Sequence, residues 1–474
     1  MKEQFEVQWE SPQLDFYWAY HFTYKVYEDK LIEKLLGFQE ESYLVICDKL
    51  NYQFLLKKEE IERVQKLCDQ YYDEPSNIEN YKKRVEKLKK VIDEIEWEPA
   101  NVYDRFEYGK KLEHLFHQAV ALHLCSQPHL TDTLGVKLRS ALTTMLLEES
   151  IQQIILKITG ITHLPATLME QKEWLELIVD AQTRNHITKD TLRNHLSKWK
   201  YITAGDSHSP LTLNQLENRA DKDFSSKEKI KGQLRKLNEI CDGTIKNEIA
   251  NIVMTIGNEQ VKYYSNIIRM LSSLRFDTKS MWMKLWYLLD ENRKKIENKM
   301  GCHIHGFINE ELTMENIKEC MIENTRDSYL ILKNPDSTKL FFNGLENKVI
   351  DSIIEKKDWI QLKFVQGMTG YEGRIKGKAL KVDWNDNIEE KLQLLTEETI
   401  LVIPQTTPAY MPLLNKCIGL ITDEGGITSH ASIVSRELQI PSIIGTKVAT
   451  KVFSDGDLIE IDTSKNIAIK IALN

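Results

Sequence analysis

No apolar run in the sequence approaches the roughly 18 residues that a membrane span requires, so no transmembrane helix is expected. The opening stretch, MKEQFEVQWESPQ, also lacks the apolar core of a signal peptide. Cysteine is scarce: the seven thiols (Cys47, Cys68, Cys125, Cys241, Cys302, Cys320 and Cys417) are scattered, odd in number and never spaced as CxxC. That pattern argues against a disulfide framework or a zinc finger and for a reducing, cytoplasmic setting. Positive charge is in deficit, with 63 Lys and Arg against 71 Asp and Glu and a net charge of -8. Neither nucleic acid nor an anionic membrane is therefore an expected general partner. Proline is sparse over the first two thirds, as long helices require, and glycine is rare before residue 300.

What is present is a soluble-protein composition, 42% hydrophobic and 28% charged, over 474 residues. That length allows two or three domains with sizeable cores. The first two thirds carry helical periodicity. After Pro75, Ser76 and Glu79 have the spacing of a capping box. Tyr81, Val85, Leu88, Ile92 and Ile95 then form one apolar stripe. Ile61, Val64, Leu67 and Tyr71 repeat the pattern upstream, so a helical hairpin around the DEPS turn is expected. Further helices are expected near 105–125, 134–158, 167–182, 187–199, 227–242, 245–273 and 278–300.

The pattern changes after about residue 325. SYLILK and KLFFNG flank a turn centred on Pro335 and predict a β-hairpin near 328–343, with helical material at about 344–356. From about 360 short apolar runs alternate with glycines, and a helix is expected over about 429–438. The expected fold class is thus multidomain: a large all-α N-terminal domain, 1–340, and a compact C-terminal α/β domain, 360–474.

The chemistry-bearing stretch is DEGGITSHASIVSREL, residues 423–438. It predicts strand, glycine turn and helix. Gly425 and Gly426 permit backbone conformations, and a close approach of ligand, that side chains would block. Thr428 or Ser429 can cap the helix, which places His430 in the first turn, beside backbone N–H groups with no partner inside the helix. Such a terminus favours anions by about 0.3–1 kcal/mol. A neutral imidazole there can act as a nucleophile on phosphorus, and a phosphohistidine would be favoured. The residues alone equally permit a tight turn followed by a capping-region histidine.

The stretch GGITSHASIVSRELQIPSIIG resembles the active-site signature of the phosphoenolpyruvate-utilising enzymes, in their mobile, swivelling phosphohistidine domain. The likeness extends to VIPQTTPAYMPLLNKCIGLITDEGG upstream, SDGDLIEIDTSKNIAIKI downstream and GRIKGKALKV further upstream, over about 365–474. The resemblance implies that His430 is the phosphoryl carrier. It makes Thr428 and Ser429 phosphate-binding neighbours, along with the Gly425–Gly426 turn, and gives Arg436 a place bracing the helix or meeting the phosphate. Thr463–Ser464 departs from the pattern where a glycine is common, at a surface turn.

In such enzymes a nucleotide-binding ATP-grasp domain or a phosphoenolpyruvate-binding barrel loads the histidine. Neither is evident in this sequence. A helical region followed by the histidine domain is similar in layout to the C-terminal two thirds of rifampin phosphotransferase-type enzymes. The resemblance implies a phosphotransferase component with a separate ATP-grasp partner. Mg2+ and ATP are then expected at the partner's site, and a small-molecule acceptor on the helical domain. Two alternatives stay open: a non-catalytic binding or regulatory protein that keeps the fold, and a phosphocarrier relay to another protein.

Other residue groups deserve a structural answer. Glu113, His114 and His117 share a helix, with His123 further along, and would be metal ligands or packed residues of an amphipathic helix. Cys302, His303 and His305 form a short cluster. His208, in the polar loop 204–210, is a candidate general base or a plain surface residue. Tyr17, Trp18, Tyr20 and His21 would line an apolar ligand or pack in a core.

Overall fold

Apolar stripes at helical spacing need a partner surface, and in this chain most of them find it on one long helix. The computed structural model describes residues 5–12, 23, 25–47, 51–95, 99, 101–145, 148–203, 210–224, 227–301, 329–342, 362–384, 386–406, 410–426 and 429–471. The chain opens with β1 (Phe5–Pro12), the short helices α1 (Lys25–Glu28) and α2 (Leu31–Leu36), and strands β2 (Tyr43–Cys47) and β3 (Asn51–Lys57). Helices α3 (Lys58–Tyr72), α4 (Pro75–Asp93), α5 (Val102–Leu124), α6 (Pro128–Thr143) and α7 (Glu148–Ile158) follow. Next come α8 (Ala166–Arg184), α9 (Lys189–Trp199), α10 (Leu213–Phe224), α11 (Lys227–Cys241), α12 (Thr244–Ile256) and α13 (Glu259–Met300).

Helix α13 is 42 residues long, capped at its start by Asn258 and ended by Gly301 at φ 63°, and spans about 63 Å. The helix expected over 245–273 breaks at Gly257, φ 65°, after α12, and its remainder runs on without interruption through the stretch expected as a separate helix at 278–300. Helix α13 packs on α4, α5 and α6, burying Leu271, Trp282, Leu285 and Leu289 with Leu112, Phe116 and Val120 in the main core. A second apolar cluster, around Trp174, joins α8 to α11 and includes Phe276 of α13.

The expected hairpin α3–α4 is present, with two corrections. Helix α4 starts at Pro75, with Glu74 at the N-cap and no side-chain cap. Ser76 therefore falls inside the helix, and the capping box does not form. On α3 the buried stripe is Ile61, Val64, Cys68 and Tyr72, one residue beyond the expected Leu67 and Tyr71. The region expected over 134–158 is two helices, α6 and α7, and α10 was not foreseen.

The N-terminal region is helix-rich but not all-helical. β4 (Tyr329–Asn334) and β5 (Ser337–Phe342) are the expected hairpin. They complete an antiparallel five-stranded sheet of order β1-β3-β2-β4-β5. One face of it, with Tyr43, Val45, Tyr52 and Phe54, enters the main core. The other holds Leu44, Leu55 and Leu330 in a small cluster of its own. The helix expected at about 344–356 lies outside the described residues.

The C-terminal region is built on β6 (Phe364–Gln366), β7 (Met368–Tyr371), β8 (Arg374–Lys381), β9 (Thr399–Ile403), β10 (Gly419–Thr422), β11 (Ser442–Ile444), β12 (Leu458–Asp462) and β13 (Ile467–Lys470). Its helices are α14 (Ile388–Leu394), α15 (Met411–Leu414), α16 (His430–Leu438) and α17 (Ala449–Val452). Of these α16 was expected, and α14 and α17 were not foreseen. The sheet order is β6-β13-β12-β8-β9-β10-β11-β7, parallel from β8 to β11 and antiparallel elsewhere. Every residue of β9 and β10 is buried, as a parallel sheet covered on both faces demands. Ile400, Val402 and Ile421 face one cluster with Val452 and Phe453. Leu401, Ile403 and Leu420 face the other with Leu413 and Val434. Because α16 crosses over from β10 to β11, its N-terminus opens at the carboxyl end of the parallel strands, where α/β sheets place ligands.

Candidate active site at the start of helix α16

The backbone of His430 is the first residue of α16. Ser429 is the N-cap, and its side chain accepts from the N–H of Ser432 at 3.2 Å. The Ser429 N–H in turn donates to the Gly426 carbonyl at 2.9 Å. The capping role expected for Thr428 or Ser429 thus falls to Ser429. Thr428 itself and the side chain of His430 lie outside the described residues. The N–H groups at the first positions of a helix have no carbonyl partner within it, and such termini favour anions in general.

The glycine turn is tightly held. Gly425 has φ 140°, and a Cβ there would stand 3.1 Å from Ser429 Oγ. Gly445, in the loop after β11, has φ 70°, and a Cβ on it would come within 2.3 Å of the Gly425 carbonyl. Two loops at the ends of neighbouring parallel strands therefore touch backbone to backbone. Asp423 was not singled out in the sequence, yet it binds the same two loops together. Its buried carboxylate accepts from Thr446 Oγ1 at 3.2 Å, from the Thr450 N–H at 3.1 Å and from the Thr450 hydroxyl.

Arg436, carried over as a brace or a phosphate ligand, is bonded within its own helix and to the helical region. Its guanidinium donates to the Ser432 carbonyl at 2.9 Å and to Ser432 Oγ at 2.9 Å. It also donates to the carbonyl of Leu156, in α7, at 3.1 Å. Ile433 is buried in the second helical cluster, whose other buried members all lie between Ile161 and Phe276. Gln153 reaches Glu372 at 2.7 Å, and Lys447, beside Gly445, pairs with Glu6 of β1 at 2.9 Å. The face of α16 that carries Ile433 and Arg436 is thus seated on the helical region.

The remaining candidates separate. His117 and Glu113 are buried side by side at 4.0 Å, while His114 is exposed and bonded to Gln118. Burial, with the charges of Arg275 and Lys279, drives the His123 imidazole well below its ordinary range, and Thr278 Oγ1 lies 3.3 Å from it. These are core residues of α5. Among the described residues, no three His, Cys, Asp or Glu side chains gather as a metal site. Cys302, His303, His305, His208, Tyr17, Trp18, Tyr20 and His21 lie outside the described residues. No helix among the described residues is long and apolar enough to cross a membrane. The helical region has a half-open groove of about 560 Å³ between α4 and α5, lined by Val91, Glu94, Ile95, Tyr108, Lys111 and Leu115.

The strand, the glycine turn and the serine-capped helix that begins at His430 lie in a segment with known relatives. Residues 395–466 match the family model described as PEP-utilising enzyme, mobile domain. Over 79 residues the chain is 47% identical to a probable phosphoenolpyruvate synthase of Archaeoglobus fulgidus, a match covering 17% of this chain and 10% of that protein. Over 103 residues it is 42% identical to the probable phosphoenolpyruvate synthase of Staphylothermus marinus, covering 22% and 12%. The matches therefore span only about a tenth of the length of these relatives. A solution structure of an Enzyme I (nEIt) protein aligns over 64% of this chain and 81% of its own at 14% identity, with a TM-score of 0.17, too low to bear on the fold.

Proposed function

We propose that this chain is the carrier and docking component of a histidine phosphotransferase, with His430 as the transient phosphoryl carrier. The observation that carries this reading is the placement of His430 at the Ser429-capped start of α16, over a Gly425–Gly426 turn, within a segment similar to the mobile domain. A neutral imidazole nitrogen forms a bond to phosphorus as the donor's P–O bond breaks, and the leaving oxygen keeps the electron pair. The phosphoryl oxygens then face the helix N-terminus, which offers N–H donors and the positive end of the dipole. In the second step an acceptor oxygen attacks phosphorus, the N–P bond breaks, and imidazole returns.

The donor site is assigned to a separate ATP-grasp chain. Mg2+ with ATP would supply charge neutralisation at the transferred phosphate there. The helical region, 1–340, is assigned the acceptor, and the histidine domain, 360–474, swings between the two. Support for the delivery half comes from the seating of Ile433 and Arg436 on the helical region. The groove between α4 and α5 offers one place for a small molecule.

The test is phosphate labelling with the ATP-grasp partner and ATP. Wild type is expected to take up acid-labile label that His430→Ala does not. Equal labelling of the two overturns the carrier role. An unlabelled wild type favours the non-catalytic binding protein.

A further inference from the structure

Asp423 is 4% exposed. Backbone bonds already bring its neighbourhood to the loop after β11: Thr446 N–H donates to the Thr422 carbonyl at 3.0 Å and Lys447 N–H to the Asp423 carbonyl at 2.8 Å. The side chain adds a second tie. Its Oδ1 accepts from Thr446 Oγ1 at 3.2 Å and from the Thr450 N–H at 3.1 Å, and its Oδ2 accepts from the Thr450 hydroxyl. The carboxylate accepts from the buried N–H and hydroxyl of Thr450, which an apolar residue of similar volume would leave without this acceptor.

The tie brackets the close approach that shapes the site. Gly425 lies two residues after Asp423 and Gly445 one before Thr446. Their backbones meet so closely that a Cβ at Gly445 would stand 2.3 Å from the Gly425 carbonyl. Gly425 in turn sits under Ser429 Oγ, the atom that caps α16 through the Ser432 N–H. From Asp423 to the cap the connection is unbroken: carboxylate, Thr446 and Thr450, Gly445, Gly425, Ser429.

Resting on the carrier reading of His430, we infer that Asp423 is a positioning residue that fixes the start of α16 for phosphoryl uptake, acting through Thr446, Thr450 and the Gly425–Gly445 contact. It touches no reacting atom. It holds the nucleophile's backbone and the anion-binding mouth in one arrangement, so that neither must be ordered when phosphorus approaches.

The experiment uses the full chain and phosphoramidate as the phosphoryl donor, so that no partner is needed. An imidazole nitrogen bonds to phosphorus as the P–N bond of phosphoramidate breaks, and ammonia leaves with the proton. Mass spectrometry compares label at His430 with label at His186, which is exposed and serves as the internal reference. Asp423→Asn keeps the volume but replaces one accepting oxygen, and Thr450→Val removes a hydroxyl donor at nearly constant size. Each is expected to lower the His430 to His186 ratio roughly tenfold, a change in keeping with misplacement of a reacting group. The double variant is expected to be no worse than the weaker single variant, because both break one tie. A loss of stability alone leaves the ratio of the folded fraction unchanged and overturns the inference. So do single-variant effects that multiply, and so does a wild-type ratio in Thr450→Val if Asp423→Asn fails to fold. A wild type with no preference for His430 overturns the carrier reading itself.

Discussion

Replacing Ile433 with alanine separates two roles that the histidine helix combines. Ile433 is 3% exposed, and the apolar cluster it completes otherwise belongs to the helical region. The two clusters of the C-terminal region contain Val434 but not Ile433. The substitution removes about three carbon groups at ~0.8 kcal/mol each, so ~2.4 kcal/mol is lost from the docked arrangement before any cavity contribution. That corresponds to roughly a fiftyfold shift of the docking equilibrium. Amide hydrogen exchange reads the outcome by location. Exchange is expected to rise at the end of α7, where the Leu156 carbonyl receives Arg436, and along α16. The amides of β9 and β10 are expected to keep their protection. If β9 and β10 lose protection in step, Ile433 is part of the domain's own core and the reasoning fails. If α7 does not change, the docked contact contributes nothing in solution.

Two further outcomes follow from geometry and charge. Gly445→Ala is expected to destabilise the chain by about 1–3 kcal/mol more than Gly456→Ala. Both residues have positive φ, but a Cβ at Gly456 meets nothing within 4 Å whereas one at Gly445 strikes the Gly425 carbonyl; denaturant midpoints of the two variants give the comparison. Glu170 is buried between His195 Nε2 at 2.9 Å and Arg219 at 2.6 Å, with Asp223 also beside Arg219. Burial pushes its carboxyl up, but Arg219 and His195 outweigh that and hold it below its ordinary range. A depressed carboxyl contributes stability that is complete above its unfolded value, about 4.3, and fades as pH falls through the folded value. Glu170→Gln is therefore expected to be less stable at pH 7 by roughly 1–3 kcal/mol and to lose less stability than wild type below about pH 4.3. Parallel stability curves for the two proteins over that acid range would contradict the assignment.

Much of this was legible in the residues, and the exceptions have identifiable causes. The stripe on α4 and the hairpin at Pro335 are local patterns, and both form, although the stripe ends at Ile92 and the helix stops before Ile95. The strands β2 and β3 pair with each other, but the sheet they belong to is completed only by β4, which pairs with β2 and arrives some 280 residues later in the chain. The capping box failed for a different reason. Pro75 is already favourable at the first helical position, so Ser76 has no terminal N–H to serve. At Thr463–Ser464 the expected glycine is dispensable, since Asn466 takes the positive φ of 56° in that turn.

The sequence by itself determined the histidine, the glycine turn and the cap, since a helix start is specified by the few residues that flank it. Only the tertiary structure decided what holds that start in place and what it faces. Asp423 meets Thr450 only because β10 and β11 lie side by side, and Arg436 meets Leu156 only because α16 docks on the helical region. Such pairings depend on the closure of long loops and on buried apolar surface shared between distant segments, neither of which leaves a periodic trace along the chain.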